Sequence, residues 1–590
     1  MLLFKKIFAS FVLVVFVLQS GFFPLYAQDI VTSDEISFGS SVFVLRDAGQ
    51  KQKKFAPRTT KVRQNTYSKN QTRNRLVAVN RTPQPAKTTG TENQREKASR
   101  DIAFAAQAFL NQGQFETAIE YFNQAIALDP NNREAKAGLS DAYVAKANRY
   151  LEAGRTEEAI SFYNKAIEQD AKNADAYLAL GEAYIGLDRE DKALESYEKA
   201  LAVNPDIREL YVPIATLYLK KGELALAEDY LKKAMVQGDE TGEIHYLMGL
   251  VHYKLNRDKE ALAAFDKAIQ LNPNNAEAYY YRGEIYDKLN QEDDALASYR
   301  KAVSLNPSFF EAWFDLGVNY YNRKNYKEAA EAYKTVVKLK PDYGEAYLNL
   351  AVTYRQMGLC EEAITNYSIA ANFIKDNANL YSEWGFCLAR VGKWNKVIET
   401  LSKAVSISPD AVDYANLGWA YYNSAQEDLR SKRDQDAKAK LLKAKEALQR
   451  AIELNPKLAP AYLNLGITLT DLGEYQASVN ILRQAVNMRK DWLPAINELG
   501  IAYRKLGDLD NAVRQFRRVL EINPNMATAL YNLGEAEYRR GNEAEAQKIY
   551  RRLRKVDPQL ATQLDVIISG AVLQETKKEL KEKIPAPRFP

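Results

Sequence analysis

The sequence predicts an all-α protein, a solenoid built from repeated helical hairpins. The first observation is a fixed period of 34 residues, which equally spaced prolines mark at Pro273, Pro307 and Pro341. The second is the apolar pattern inside each period, which recurs at i, i+3, i+4 and i+7 and indicates one buried helix face. The third is length, because 590 residues exceed what one hydrophobic core supports and therefore favour a modular chain.

The period covers residues 99–560 and amounts to about 13 repeats. When this proline is numbered as position 32, position 20 is usually alanine and position 24 is a large side chain. Two intervals are longer than the period, and we expect their extra residues, near 142–154 and 423–451, to lengthen the helices of those hairpins. Position 8 is glycine in eight repeats, at Gly181, Gly249, Gly283, Gly317, Gly385, Gly466, Gly500 and Gly534.

This pattern resembles the tetratricopeptide repeat (TPR) family, whose repeat has the same length and the same small and large positions. The resemblance covers about four-fifths of the chain. It implies a right-handed superhelical solenoid of about 13 TPR hairpins in which helix A of each hairpin lines a concave groove. Residues 561–590 then form a capping helix and a tail, since one apolar face follows the last repeat. That face carries Leu564, Ile567, Ile568 and Val572.

Residues 1–27 have the features of a secretory signal peptide. Lys5 and Lys6 precede a short apolar run, and the small residue Ala27 precedes the expected cleavage site. An uncleaved signal anchor is the alternative, because about 20 mostly apolar residues are enough to span a bilayer. In both cases we expect the repeats to be exported, to the periplasm or the cell exterior.

Residues 28–98 form a basic linker. Residues 51–91 contain 11 lysines or arginines and no acidic residue, a composition that predicts mostly disordered chain. The stretch DEISFGSSVFVLR at 34–46 departs from this composition and is compatible with a short strand or a docking peptide. We interpret the basic linker as a solvated tether. The alternative is that it contacts an anionic polymer and releases the counterions of that polymer. No specific nucleic-acid partner is predicted.

The sequence contains few residues suited to catalysis, and we expect no enzymatic activity, no cofactor and no metal site. His245 and His252 are two helical turns apart, about 10 Å, which is too far to share one ion, so we interpret them as core side chains. No phosphate-binding loop or nucleophile motif occurs. Cys360 and Cys387 fall near the same edge of the predicted solenoid. Export makes a disulfide between them chemically possible, although two separate buried thiols are the favoured interpretation.

The candidate binding residues occupy position 6 of helix A, which a helical wheel places opposite the buried face. An asparagine amide offers two donors and an acceptor, so a ladder of asparagines suits the backbone of an extended peptide. The glutamates at the same position favour a ligand with some positive charge. In the last six repeats, position 6 is Asn349, Glu383, Asn416, Asn464, Glu498 and Asn532.

A second candidate surface consists of aromatic residues at positions 5, 6, 9 and 12 of the middle repeats. Exposed aromatic side chains in a line usually mark binding, although several of these could instead pack between adjacent A helices. The sequence thus predicts a scaffold that binds a protein or extended peptide in its groove, with a cell-envelope polysaccharide as the alternative ligand. The aromatic residues are Tyr246, Tyr253, Tyr280, Tyr281, Phe314, Tyr321, Phe386, Trp419 and Tyr422.

Overall fold

The computed structural model describes residues 35–38, 41–44, 94–238 and 240–569. These ranges contain 27 α-helices, a short 3-10 helix at Arg208–Leu210 and two β-strands. Consecutive helices pack as hairpins, in which an odd-numbered helix A precedes an even-numbered helix B. The predicted all-α fold is confirmed, with two short strands added to it. The predicted signal peptide, most of the basic linker and the C-terminal tail lie outside the described residues.

The chain divides into two compact units, the first of residues 56–312 and the second of residues 1–55 together with 313–590. The helices of the first unit are α1 (Gln94–Asn111), α2 (Phe115–Leu128), α3 (Arg133–Glu152), α4 (Thr156–Gln169), α5 (Ala174–Gly186), α6 (Glu190–Val203), α7 (Tyr211–Lys221), α8 (Leu224–Val236), α9 (Gly242–Lys254), α10 (Asp258–Leu271), α11 (Ala276–Lys288) and α12 (Glu292–Leu305).

The second unit takes in nearly all of α13 and every later helix. Its helices are α13 (Phe310–Asn322), α14 (Tyr326–Leu339), α15 (Gly344–Gln356), α16 (Cys360–Phe373), α17 (Ala378–Arg390), α18 (Trp394–Ile407), α19 (Ala411–Arg430), α20 (Asp434–Leu454), α21 (Ala459–Asp471), α22 (Tyr475–Met488), α23 (Leu493–Leu506), α24 (Leu509–Ile522), α25 (Ala527–Arg539), α26 (Glu543–Val556) and α27 (Pro558–Ser569).

Two hairpins are longer than the others, and they are lengthened differently. Helix α3 has 20 residues whereas its partner α4 has 14, so the extra residues near 142–154 lie in α3 alone. Helices α19 and α20 have 20 and 21 residues, so both arms of that hairpin are extended. At its tip, the buried carboxylate of Asp428 accepts from Arg433 and lies 2.8 Å from the Lys440 ammonium, which fixes the turn to both arms.

The last helix of the described residues, α27, packs on α25 and α26. The side chains of Leu564 and Ile568 are buried in this contact. Leu564 lies so close to α25 that a Cβ on Gly534 would be 2.6 Å from its Cδ2 atom. Helix α27 therefore covers the apolar face that a further hairpin would otherwise cover. None of the described helices is long and apolar enough to cross a lipid bilayer.

The two strands belong to the second unit. Strand β1 (Glu35–Phe38) pairs antiparallel with β2 (Ser41–Val44), and the register joins Glu35 to Val44 and Phe38 to Ser41. Strand β2 lies against α19 and α21, which are the A helices of two successive hairpins. An element from the N-terminal part of the chain thus contacts the A-helix side of the array.

The glycine at position 8 is required because helix B places a large ring directly against it. A Cβ on Gly181 would lie 2.5 Å from two ring carbons of Tyr197, and this ring is itself buried. On the same helix α5, a Cβ on Gly186 would meet no atom within 4 Å. The two glycines therefore separate the effect of close packing from the effect of helix propensity.

We expect Gly181→Ala to lower the free energy of unfolding of this hairpin by about 1–3 kcal/mol, because the ring cannot move away without strain. Gly186→Ala serves as the control and should leave stability unchanged or raise it by up to about 1 kcal/mol. Urea unfolding combined with hydrogen exchange of α5 and α6 measures both changes. Equal stability of the two variants would show that the contact with Tyr197 is not tight.

Candidate functional site

Polar side chains join consecutive A helices of the second unit, and we call this set of contacts from α13 to α25 the inner seam. Between α13 and α15, Gln356 Nε2 donates to the hydroxyl of Tyr321 over 3.3 Å. Between α15 and α17, Arg355 pairs with Glu383, and both side chains are about nine-tenths buried. The Tyr367 hydroxyl also donates to Glu383 Oε2 over 3.4 Å. The Glu383 carboxylate is therefore already held by two partners.

The middle of the inner seam uses carboxylates as acceptors. Ser382 Oγ on α17 donates to Asp413 Oδ1 on α19 over 2.5 Å, and Asp413 is completely buried. On the next pair of helices, Asp471 Oδ2 accepts from the Tyr422 hydroxyl at 3.0 Å and from Gln426 Nε2 at 2.9 Å. Helices α17, α19 and α21 are thus linked by hydrogen bonds to ionisable groups.

The C-terminal end of the inner seam contains a buried ion pair and a pair of amides. Arg504 Nη1 on α23 lies 2.5 Å from Glu535 Oε1 on α25, and Arg539 Nε donates to the same oxygen over 2.9 Å. Burial lowers the pKa of the Arg504 guanidinium, and the charge of Glu535 opposes this effect. Asn532 Nδ2 donates to Asn497 Oδ1 over 3.2 Å.

The position-6 residues are buried, and the expectation that they point into an open groove is corrected. Asn349 Nδ2 lies 3.5 Å from the hydroxyl of Tyr333, which comes from the preceding helix B. Glu383 meets Tyr367 of its own preceding helix B in the same way. The large residue of one hairpin therefore reaches position 6 of the next. The six residues, each between 0% and 7% exposed, are Asn349, Glu383, Asn416, Asn464, Glu498 and Asn532.

The aromatic residues predicted in the first unit pack against one another. The ring of Tyr281 lies 5.5 Å from that of Tyr253 and 6.4 Å from that of Tyr246, measured between centroids. The ring of Tyr280 lies 4.9 Å from that of Phe309. Tyr280 and Tyr281 are buried, so they form part of the packing between neighbouring helices. The predicted exposed surface is corrected for Tyr280 and Tyr281, whereas Tyr246 and Tyr253 are partly buried members of the same cluster.

The aromatic residues predicted in the second unit are also internal. Trp419 is completely buried, and its ring stands edge-on to Trp394 of α18 with centroids 4.7 Å apart. Phe314 lies edge-on to Tyr343 at 5.2 Å. Trp394 belongs to a B helix and Tyr343 to the loop before α15, so the flank of each A helix is covered here by an adjacent B helix or loop. The remaining three, Tyr321, Phe386 and Tyr422, are buried as well.

The two cysteines are buried free thiols that hydrogen-bond to each other. This hydrogen bond lowers the pKa of Cys360, whereas the same bond and burial raise the pKa of Cys387. His245 is buried with its Nε2 3.2 Å from Glu240 Oε1. Burial lowers the pKa of His252. Among the described residues, no group of three or more histidine, cysteine or acidic side chains is arranged to hold a metal ion.

Sequence reasoning missed several residues of the inner seam. Arg355 and Arg504 occupy position 12, and Asn497 occupies position 5, one residue before the expected ladder. Their partners lie about one repeat further along the chain, as Glu383 and Glu535 show. The available signal was an arginine at position 12 of one A helix and a glutamate at position 6 or 9 of the next, which a search restricted to position 6 does not detect.

Comparison with known families identifies the repeat. Models of the tetratricopeptide repeat match residues 106–132, 280–343, 314–377, 447–480 and 497–561. The chain is a tetratricopeptide repeat protein. A further model, described as the C-terminal domain of cilia and flagella-associated protein 70, matches residues 127–277 of this TPR protein. Solenoids of this class present extended binding surfaces, so the architecture is that of a protein-interaction scaffold.

Solved structures similar to this TPR protein include YrrB, described as a TPR protein with an unusual peptide-binding site. It is 28% identical, covers 31% of this chain and 95% of its own, and has a TM-score of 0.27. MamA is 26% identical over 30% of this chain and 96% of its own, with a TM-score of 0.26. The Cut9–Hcn1 hetero-tetramer of the APC/C is 17% identical over 75% and 96%, with a TM-score of 0.30. No curated protein matches the chain.

Proposed function

We propose that this TPR protein is exported and binds an extended segment of a partner protein along the inner seam of its second unit. The sequence of residues 1–27 supports export, and the TPR architecture supports a binding role rather than a catalytic one. A protein ligand is favoured over a polysaccharide because the aromatic side chains suited to sugar stacking, such as Trp419 and Tyr422, are buried.

The observation that carries the proposal is the amide pair of Asn497 and Asn532. Their mutual hydrogen bond uses one donor and one acceptor. Asn497 Nδ2 and Asn532 Oδ1 are left without hydrogen-bond partners among the described residues, although both atoms are buried. A buried polar atom without a partner costs about 1–3 kcal/mol. One peptide group of a ligand, with one carbonyl and one N–H, would satisfy both atoms once the two amide side chains turn toward it, because both residues are completely buried in the unliganded chain.

The charges of the inner seam refine the expected ligand. Glu383 does not present an unpaired charge, because Arg355 neutralises it. The seam therefore gives no reason for a basic ligand side chain at this position. We propose recognition through the main chain, which amides can provide without selecting a particular side-chain sequence.

The test is capture of partners from envelope extract by the chain that begins at residue 28, followed by affinity measurement with a peptide from the captured partner. Asn497→Ala/Asn532→Ala should weaken peptide binding about tenfold, since each lost hydrogen bond contributes about 0.5–1.5 kcal/mol. The matched control is Asn123→Ala/Asn480→Ala, because both of these asparagines are exposed on B helices. The control should bind normally.

N-methylation of single amides in the peptide sharpens this test. Methylation of the amide that faces Asn532 should weaken binding to the unchanged protein and have no further effect on the double variant. The proposal fails if the folded double variant binds with unchanged affinity. Binding of glycans instead of peptides, measured on a glycan array with the same protein, would also overturn it.

A further inference from the structure

Residues 35–44 have the sequence of a compact β-hairpin. Two four-residue strands, EISF and SVFV, flank Gly39 and Ser40. A two-residue connection that starts with glycine is a strong hairpin signal, because the favoured turns need a positive φ angle at that position. The observed register, with Ile36 opposite Phe43 and Phe38 opposite Ser41, is the one that a two-residue connection produces.

This hairpin needs a surface to support it. A two-stranded hairpin by itself is at best marginally stable in water. The structure supplies that surface, since β2 lies against α19 and α21. These two helices carry Asn416 and Asn464, two of the position-6 asparagines, and both of these residues are buried. Strand β2 therefore contacts two of the A helices along which the proposed function places an extended segment of a partner.

We infer that residues 35–44 are an intramolecular ligand that occupies the α19–α21 part of the inner seam and competes with the partner protein. That a partner protein binds this site rests on the proposed function. That the hairpin docks there rests on the contacts of β2 with α19 and α21. The partner segment that displaces it is expected to share its chemistry, which is a short run of β-branched and aromatic residues with few charges.

The covalent connection favours the hairpin over a free peptide. Residues 45–93 connect β2 to α1 in the same chain. A ligand attached covalently acts at an effective concentration that is set by the length of its connection, which is 49 residues here, and not by the concentration of free ligand. A partner segment with the same intrinsic affinity must therefore be abundant or must bind additional surfaces to displace it. The hairpin thus sets the partner concentration above which the partner segment binds.

The experiment compares three forms of the chain that begins at residue 28. One is intact, one has residues 35–44 replaced by ten Gly and Ser residues, and the control has residues 61–70 replaced in the same way. A labelled peptide of residues 34–46 is titrated into each form. We expect at least tenfold tighter binding to the form without 35–44 than to the intact chain or the control form. Equal affinity for all three forms, or no binding to any of them, overturns the inference.

Hydrogen exchange locates the bound peptide without any substitution in the solenoid. Addition of the 34–46 peptide to the form without 35–44 should protect amides in α19 and α21, and protection confined to other helices overturns the inference. The two proposals fail separately. If the peptide behaves as expected but this form captures no partner protein, the inference stands and the proposed function fails. If a partner binds all three forms equally and the peptide binds none of them, only the inference fails.

Discussion

Replacement of Glu535 by leucine is expected to lower the local free energy of unfolding around α23 and α25 by about 3–5 kcal/mol. The side chains of Arg504 and Glu535 are 3% and 6% exposed, so the guanidinium loses its nearest opposing charge in a place that water does not reach, with Glu498 as a remaining acidic neighbour. Leucine has a similar volume to glutamate and accepts no hydrogen bond. The loss in free energy of unfolding therefore comes mainly from the uncompensated charge and not from a cavity.

Hydrogen exchange of α23 and α25 measures this loss helix by helix, which suits an array in which each repeat contacts only its neighbours. Glu453→Leu is the control, because this glutamate is exposed and pairs with Arg450 on the surface; its effect should stay within about 0.5 kcal/mol. The double change Arg504→Met/Glu535→Leu should recover most of the lost stability. If Glu535→Leu is as stable as Glu453→Leu, the ion pair of Arg504 and Glu535 is solvated and the prediction is wrong.

Replacement of Trp419 by alanine is expected to cost about 3–5 kcal/mol, the usual range for a large buried aromatic side chain. Trp419 is completely buried and contacts Trp394 edge-on, so its removal leaves a cavity between α18 and α19. This prediction separates a core role from the groove role that the sequence favoured. Urea unfolding followed by hydrogen exchange of α18 and α19 provides the measurement.

Phe104→Ala is the control for Trp419, because Phe104 is 69% exposed on α1 and its truncation removes little buried area. We expect a loss of less than about 1 kcal/mol for the control. For folded Trp419→Ala protein, the affinity for a partner peptide should be nearly unchanged. If the Trp419→Ala protein keeps its stability but loses peptide binding, Trp419 is a ligand-contacting residue, as the sequence predicted.

The fold could be predicted because its determinants are local and repeated. Gly181 and Tyr197 lie in the two helices of one hairpin, and the close approach of these helices needs both residues. The same small-and-large pair recurs at Gly283 and Tyr299. A pattern of this kind can be recognised without knowing how the hairpins stack. The regular spacing of the repeats was therefore sufficient to predict the fold.

The site was harder to predict because its contacts join different hairpins. A helical wheel describes a single helix, and it placed Asn349 opposite the core. The hydroxyl of Tyr333, from the preceding helix B, lies beside that amide in the structure. The pairing of Arg504 with Glu535 depends equally on the offset between successive A helices. Charged residues are common on helix surfaces, so one sequence does not distinguish these two from solvated ones.

The long hairpin of α19 and α20 has a consequence for how this array can change its length. Helix α19 has 20 residues where α17 and α21 have 13, and α20 has 21 where α22 has 14. Seven residues rotate a helix by about 700°, only about 20° short of two full turns. The buried stripe of each lengthened helix therefore stays in rotational phase with its neighbours, whereas five added residues would turn it away by about 140°. Insertions into these repeats are accordingly expected in steps of about seven residues per helix, the step that preserves rotational phase.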